Sequence, residues 1–265
     1  MIEIKDVYFS YPAGQVLNGL SLTVNKAEYI GIMGGNGSGK TTLARLITGL
    51  LLPQKGSVRV NGISTQCSNR LLEIRSKVGM VFQNPDAQII GETVEEDLVF
   101  GLENLEVPVN EIDLRIDRYL SMFGIQDLRH SNTRLLSSGQ KQLVNLAAVM
   151  AMQPDCIIFD EPVSMIDYKH RRMILTFIRE LSSKGTAVIH ITHDPEELIW
   201  CNRIIIISHG RIIDQGTPCN VFDKLIGNDE LDVPAAFAIS NKLGLPPIMI
   251  PEELVGRIWL LRSRT

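Results

Sequence analysis

Two clusters of residues have the types and spacing needed for phosphate chemistry. The first, Gly34-Gly35-Asn36-Gly37-Ser38-Gly39-Lys40-Thr41, reads G-x-x-x-x-G-K-[ST]. Its glycines let successive backbone N–H groups turn toward phosphate oxygens, and a helix starting at its end adds the positive end of its dipole. Asn36, Gly37, Ser38, Gly39, Lys40, Thr41 and Thr42 are therefore the expected nucleotide contacts. Lys40 would reach the β- and γ-phosphates, and the Thr41 hydroxyl would ligate Mg²⁺. A Gly-rich turn with a chance lysine has the same letters. It would not sit between an apolar run, Tyr29-Ile30-Gly31-Ile32-Met33, and a helical pattern over 42–50.

The second cluster is Cys156-Ile157-Ile158-Phe159-Asp160-Glu161. Four apolar residues in a row predict a strand buried on both faces, as in a parallel sheet. The two carboxylates then fall at its C-terminal end, where open α/β sheets bind ligands. Asp160 is expected in the Mg²⁺ shell, and Glu161 is placed to orient or deprotonate an attacking water. Alone, such a pair reads equally as the solvated start of a loop. Paired with a phosphate loop it reads as nucleotide hydrolysis.

Between these clusters lies Leu136-Ser137-Ser138-Gly139-Gln140, which closely resembles the L-S-G-G-Q signature of ABC ATPases. The rest of that family's set follows in order. Gln83 in Val81-Phe82-Gln83-Asn84-Pro85 resembles the Q-loop glutamine, Asp167 in Ser164-Met165-Ile166-Asp167 the D-loop aspartate, and His193 in Ile191-Thr192-His193-Asp194 the switch histidine. Tyr11 stands where an ABC domain stacks an aromatic ring on adenine. The resemblance spans roughly residues 1–220. It implies a P-loop NTPase of the α/β class with a mostly parallel core sheet, an N-terminal antiparallel β subdomain, an α-helical subdomain at about 84–152, and ATP with Mg²⁺ as ligands. It assigns Glu161, His193, Gln83 and Lys40 to catalysis and Thr41, Gln83 and Asp160 to the metal. Ser137, Ser138, Gly139, Gln140 and Asp167 would serve the ATP of a second, head-to-tail subunit. Two positions depart from the pattern: Ser138 replaces a glycine, and the D-loop reads Ser-Met-Ile-Asp rather than ending Gly-Leu-Asp or Ala-Leu-Asp.

These motifs need a strand–helix framework, and the chain is long enough to hold one. It has 265 residues, 45% hydrophobic and 21% charged, enough for one sizeable α/β core and a small appendage. Strands are expected at 2–9, 20–24, 57–60, 77–82, 156–160, 186–191 and 203–207, and helices dominate 93–150. Residues 143–151 are almost wholly apolar and must be buried. Beyond Gly216-Thr217-Pro218, helical runs at 219–226, 234–243 and 251–262 form a tail too small for its own large core. This gives an ATPase domain over 1–220 and a helical extension over 221–265 that resembles the family's dimerisation segment. The net charge of −4 leaves no basic footprint for nucleic acid. The four cysteines show no C-x-x-C spacing and read as reduced cytosolic thiols. A charged, alternating N-terminus does not read as a signal peptide, and no apolar run is long enough to span a bilayer. Four further histidines, His130, His170, His190 and His209, carry no motif and are given no role.

The stretch 84–101, from Asn84-Pro85-Asp86 to Val99-Phe100-Gly101, resembles the energy-coupling factor (ECF) ATPases, the vitamin and cobalt/nickel uptake branch of ABC importers. Tyr11-Pro12-Ala13-Gly14 and Leu231-Asp232-Val233-Pro234 resemble the same branch. It implies a second ABC ATPase, by preference a paralogue, a transmembrane scaffold, a substrate-capture membrane protein, and a place at the cytoplasmic face of the membrane. Asp86, Glu92, Glu95, Glu96 and Asp97 could receive arginines of the scaffold. Charge reversal at Glu95 and Glu96 is then expected to weaken scaffold binding and leave ATP binding intact. The alternatives are an ATPase of another ABC importer, or a soluble ABC ATPase. A P-loop kinase or GTPase lacks the signature.

Overall fold

The computed structural model describes residues 1–228 and 230–262. Its centre is a six-stranded sheet ordered β10-β9-β3-β8-β7-β6. The strands are β3 (Tyr29–Met33), β6 (Val78–Val81), β7 (Cys156–Asp160), β8 (Ala187–Ile191), β9 (Arg203–Ser208) and β10 (Arg211–Gly216). All pair in parallel except β10, which returns antiparallel along β9. Strands β3, β6, β7 and β8 are buried at every residue. This is why their sequences are continuous apolar runs rather than alternations: helices cover one face, and the first helices with the antiparallel sheet cover the other. The parallel order also brings the C-terminal ends of β3, β7 and β8 together at one edge.

A second, antiparallel sheet runs β2-β1-β4-β5, with β1 (Ile2–Tyr11), β2 (Gly14–Val24), β4 (Lys55–Val60) and β5 (Ile63–Ser64). Its inward residues (Ile2, Ile4, Leu20, Leu22, Val58 and Val60) share a core with Ile30, Ile32 and the helix after the phosphate loop. That helix is α1 (Lys40–Ile47), and α2 (Leu71–Lys77) precedes β6. Strands β5 and β10 and helix α2 lack the periodicity that exposed the others, and the sequence reading missed them. β2 begins six residues before the expected strand because its exposed first half carries no clear alternation.

The helical layer consists of α3 (Val94–Asn104), α4 (Val109–Met122) and α5 (Ser138–Ala151). It corrects the reading of the acidic cluster, because most of that charge is used inside the chain. Thr93 caps α3 through a reciprocal box with Glu96: Thr93 Oγ1 accepts from Glu96 N at 3.3 Å, and Glu96 Oε2 accepts from Thr93 N at 3.1 Å. Asp97 is buried and accepts from Ile90 N at 2.7 Å and Gly91 N at 3.0 Å. Asp86 pairs with Lys141 at 2.6 Å. Glu95 accepts from Arg129 Nε at 3.0 Å, and the same guanidinium reaches Asp113 at 2.7 Å and Asp117 at 2.6 Å. Glu95 is therefore a link between α3 and α4. Removing Arg129 would take away the cation shared by Glu95, Asp113 and Asp117. We expect Arg129→Ala to cost about 1–2 kcal/mol and lower the melting temperature by about 2–6 °C at low ionic strength, with a smaller shift in 1 M salt. Thermal scans at two salt concentrations check this, and an unchanged low-salt midpoint would contradict it.

The chain ends in α6 (Tyr168–Ser183), which lies between β7 and β8, then α7 (Pro218–Leu225), α8 (Ala235–Lys242) and α9 (Pro251–Arg262). Phe237 of α8 joins the large core and meets Phe222 at 6.1 Å between ring centroids. Ala236, Ile248 and Leu254 form a small separate cluster. Ala235 N donates to Glu196 Oε1 at 2.7 Å, which ties the tail to the turn after β8. No helix among the described residues is long and apolar enough to cross a membrane.

Candidate nucleotide site

The phosphate loop joins β3 to α1. Gly34 lies against β9: a Cβ there would sit 2.1 Å from Ile207 O, so no other residue fits without moving the strand. Gly39 caps α1 in the left-handed region at φ 108°, where a side chain would be strained and would also meet Leu17 Cδ2 at 2.7 Å. The loop curls around the Lys40 ammonium, which donates to Gly34 O at 2.7 Å and Gly35 O at 3.0 Å. Burial holds the Lys40 pKa below the usual lysine range, while Glu161 and Asp160 pull it back up. Ser38 Oγ is buried without a partner among the described residues. An unpaired hydroxyl and a desolvated cation in one loop suit a polyanion.

Asp160 ends β7 and is 3% exposed. Burial raises its carboxyl pKa, and a hydrogen bond from Thr41 opposes that shift. A buried carboxylate beside a hydroxyl favours a cation. Among the described residues, no group of three or more His, Cys, Asp or Glu could hold a metal.

Glu161 follows with φ 50°, a left-handed conformation that costs a non-glycine residue about 1 kcal/mol or more. Its N–H donates to Ile191 O at 2.9 Å, fixing the turn to the end of β8. Both carboxylate oxygens are held. Gln83 Nε2 donates to Oε2 at 3.1 Å, and His193 Nδ1 lies 3.0 Å from Oε1. These three side chains come from the ends of three adjacent parallel strands. Tyr11, Val16, Asn36 to Thr42, Gln83, Asp160 and Glu161 line one open cleft of about 350 Å³. Tyr11 packs edge-on against Phe9 at 4.9 Å and presents its ring at the cleft wall.

The signature residues lie elsewhere. Ser137 caps α5, its hydroxyl accepting from Gln140 N at 3.3 Å while Gln140 Oε1 accepts from Ser137 N at 2.9 Å. Exposed Ser138 and half-buried Gly139 form the first turn, where a Cβ on Gly139 would sit 3.8 Å from Met165 O, an ordinary contact distance. Asp167 precedes α6 and accepts from His170 N at 3.2 Å. None of Ser137, Ser138, Gly139, Gln140 or Asp167 lines the cleft around Lys40. The sequence reading missed two buried amides on α5. Gln142 Nε2 donates to Phe82 O at 3.1 Å and Pro162 O at 3.2 Å, and Asn145 Nδ2 to Pro85 O at 3.1 Å. They bind the signature helix to the Gln83 loop and to the turn after Asp160. The signal was a pair of amides three residues apart on the face of an otherwise apolar helix.

The family model for ABC transporters matches residues 17–164, from β2 to just past Glu161. The chain belongs to the ABC transporter family. Within this family it resembles the energy-coupling factor transporter ATP-binding protein of Methanosarcina acetivorans, 43% identical over 96% of this chain and 93% of that protein. Among solved structures it resembles cbiO1 of Clostridium perfringens, part of the ABC transporter complex cbiONQ. The TM-score is 0.73, with 31% identity over 86% of this chain and 95% of that one. It also resembles a dimeric ATP-binding cassette in a post-hydrolysis state bound to ADP and Pi, with a TM-score of 0.75 and 28% identity over 82% and 99% of the two chains. This ABC ATPase is thus of the energy-coupling factor type, an ATP-binding, ATP-hydrolysing subunit of a transporter.

Proposed function

We propose that this ABC ATPase energises an ECF-type importer for vitamins or transition-metal ions, as one half of a head-to-tail ATPase dimer on a transmembrane scaffold. The supporting observation is the separation of the two half-sites. Glu161 is already held at both oxygens beside Lys40, while none of the signature residues at the start of α5 lines that cleft. A second subunit's signature would complete the site.

In this reading the loop amides and Lys40 bind the β- and γ-phosphates. Thr41, Asp160 and Gln83 would hold Mg²⁺, which when bound offsets charge on the phosphate oxygens. Glu161 orients the attacking water and accepts its proton. His193 fixes the Glu161 carboxylate and contacts the γ-phosphate. Tyr11 stacks on the adenine. Ser137, Ser138, Gly139, Gln140 and Asp167 contact the partner's ATP. ATP then favours the closed dimer because only that state makes both sets of contacts, and hydrolysis removes the difference.

The working division is an ATPase domain over 1–220, with its helical subdomain at about 84–152, and an extension over 221–265. In the extension, the exposed Ile239, Leu243, Val255 and Trp259 suit dimerisation with a paralogous ATPase. The scaffold would dock at the cleft lined by Asp86, Ile90, Glu92, Thr133 and Arg134, where Ile90 is 68% exposed. Glu92 replaces Glu95 and Glu96 as the acid available there. In this reading the chain works at the cytoplasmic face of the membrane with a substrate-capture membrane protein and without nucleic acid.

Isolation of the tagged chain from native membranes in mild detergent is expected to recover a second ABC ATPase, one scaffold and small membrane proteins. ATP turnover by the isolated chain should rise more steeply than linearly with its concentration. Recovery from the soluble fraction alone would remove transport, and concentration-independent turnover by a verified monomer would remove the composite site.

A further inference from the structure

Behind the switch loop lies a chain of polar side chains in which the sequence reading saw no role. His190, fully buried on β8, places Nδ1 2.9 Å from the Tyr29 hydroxyl on β3. Its Nε2 lies 3.1 Å from Glu197 Oε2. Both atoms are sealed from solvent, and neither makes a further well-formed hydrogen bond among the described residues, so this close contact faces no competing one; Thr192 also hydrogen-bonds the Glu197 carboxylate. Glu197, 7% exposed, extends its second oxygen 2.8 Å from an Arg171 guanidinium nitrogen on α6. The same nitrogen bonds Asp194, the residue after His193. Asp194 in turn accepts from Glu196 N at 2.9 Å, and its own N–H donates to Thr192 Oγ1 at 3.1 Å. At the other end, Arg171 N donates to Asp167 O at 2.9 Å.

We propose that Arg171, Glu197 and His190 are positioning residues for ATP hydrolysis: they lock the switch loop so that His193 stays on Glu161, and they tie that loop to the Asp167 turn. This inference rests on the catalytic reading of Glu161 and His193 above.

The physical case has three parts. His193 is itself 70% exposed in its side chain, so little packing fixes its ring. The loop that carries it must therefore supply the precision. Asp194 can do so because Arg171 and the Glu196 N–H hold its carboxylate while the Thr192 hydroxyl accepts from its own N–H. Arg171 can do so because Glu197 holds the same nitrogen, and Glu197 stays ionised: burial opposes its charge, but His190, Thr192 and Arg171 together hold its pKa below the usual carboxylate value. Low dielectric strengthens such a chain when every member is satisfied. A shift of about 1 Å in a positioned group can cost on the order of a hundredfold in rate. A change at Asp167, where a partner's signature half-site would act, would reach His193 through one residue, Arg171.

The test uses the full chain in its ATPase-competent assembly. Arg171→Met and Glu197→Gln are each expected to lower kcat about tenfold or more and leave the KM for ATP within about twofold, with Arg171→Lys recovering part of the loss. The deciding comparison is Glu197→Gln in a His193→Ala background. If the network acts through His193, the second substitution adds nothing there. Equal losses in both backgrounds, or an unchanged kcat in the single variants, would overturn the inference. If His193→Ala itself leaves kcat unchanged, the reading of the switch histidine fails instead. Should Glu197→Gln fold poorly by its melting temperature, the partly exposed Arg171→Met and Arg171→Lys pair carries the same comparison.

Discussion

Glu161→Gln is expected to reduce ATP hydrolysis by about 10²–10⁴ while leaving ATP binding close to wild type. The substitution keeps the shape of the side chain, so its amide oxygen can still accept from Gln83 Nε2, which sits 3.1 Å from the carboxylate. The capacity to accept the water proton is lost, and an amide NH2 takes the place of the oxygen that faces His193 Nδ1. The left-handed backbone at φ 50° is no worse for glutamine than for glutamate, so the fold should be retained. Because ATP would still favour the closed dimer and hydrolysis would no longer release it, the ATP-bound dimer should accumulate. Single-turnover phosphate release and size-exclusion chromatography with ATP measure the two effects. A variant within threefold of wild-type turnover would assign the proton to another group.

The second large effect lies at Lys40. Its ammonium donates to the carbonyls of Gly34 and Gly35 inside the loop. ATP would replace these with charge-assisted bonds to phosphate, each of about 1.5–3 kcal/mol. Lys40→Met keeps most of the stem and removes the charge. We expect ATP affinity to fall at least a hundredfold, with the melting temperature in the absence of nucleotide changed little. Titration calorimetry checks this, and a loss under fivefold would mean the loop amides suffice.

The same residue predicts a proton linkage. Burial holds its folded pKa below the unfolded value, so the native state binds fewer protons than the unfolded one in the window between them. Lys40 therefore costs stability below that window, and the cost disappears as pH rises through it. An incoming polyphosphate favours the charged ammonium. ATP binding at alkaline pH should therefore take up protons, seen as a heat that varies with the buffer's ionisation enthalpy.

The parts of this site that could be read from sequence are those built from consecutive residues. The loop at 34–41 and the strand end at Asp160-Glu161 depend on neighbours along the chain, so their chemistry survives without coordinates. Gln83 and His193 came from the resemblance to the ABC motif set, and the parallel strands they follow bring them to one edge. The acidic residues 86–97 misled for the opposite reason. A carboxylate's partner can be far away in sequence: Glu95 meets Arg129, and Asp86 meets Lys141. Without those contacts, the residues look like free surface charge.

The sequence by itself determined the class of protein, its nucleotide chemistry and most of its core strands and helices, because periodicity and contiguous motifs are local properties of the chain. The tertiary structure alone decided that one chain keeps its signature away from its own phosphate loop, and that Gln142 and Asn145 tie the signature helix to the Gln83 loop. It also decided that His190, one more polar residue in a strand, meets Tyr29 and Glu197, and that Glu197 in turn meets Arg171. Those contacts join β3, β8, α6 and the turn after β8, and only packing of the sheet against α6 brings four such distant segments within hydrogen-bond reach.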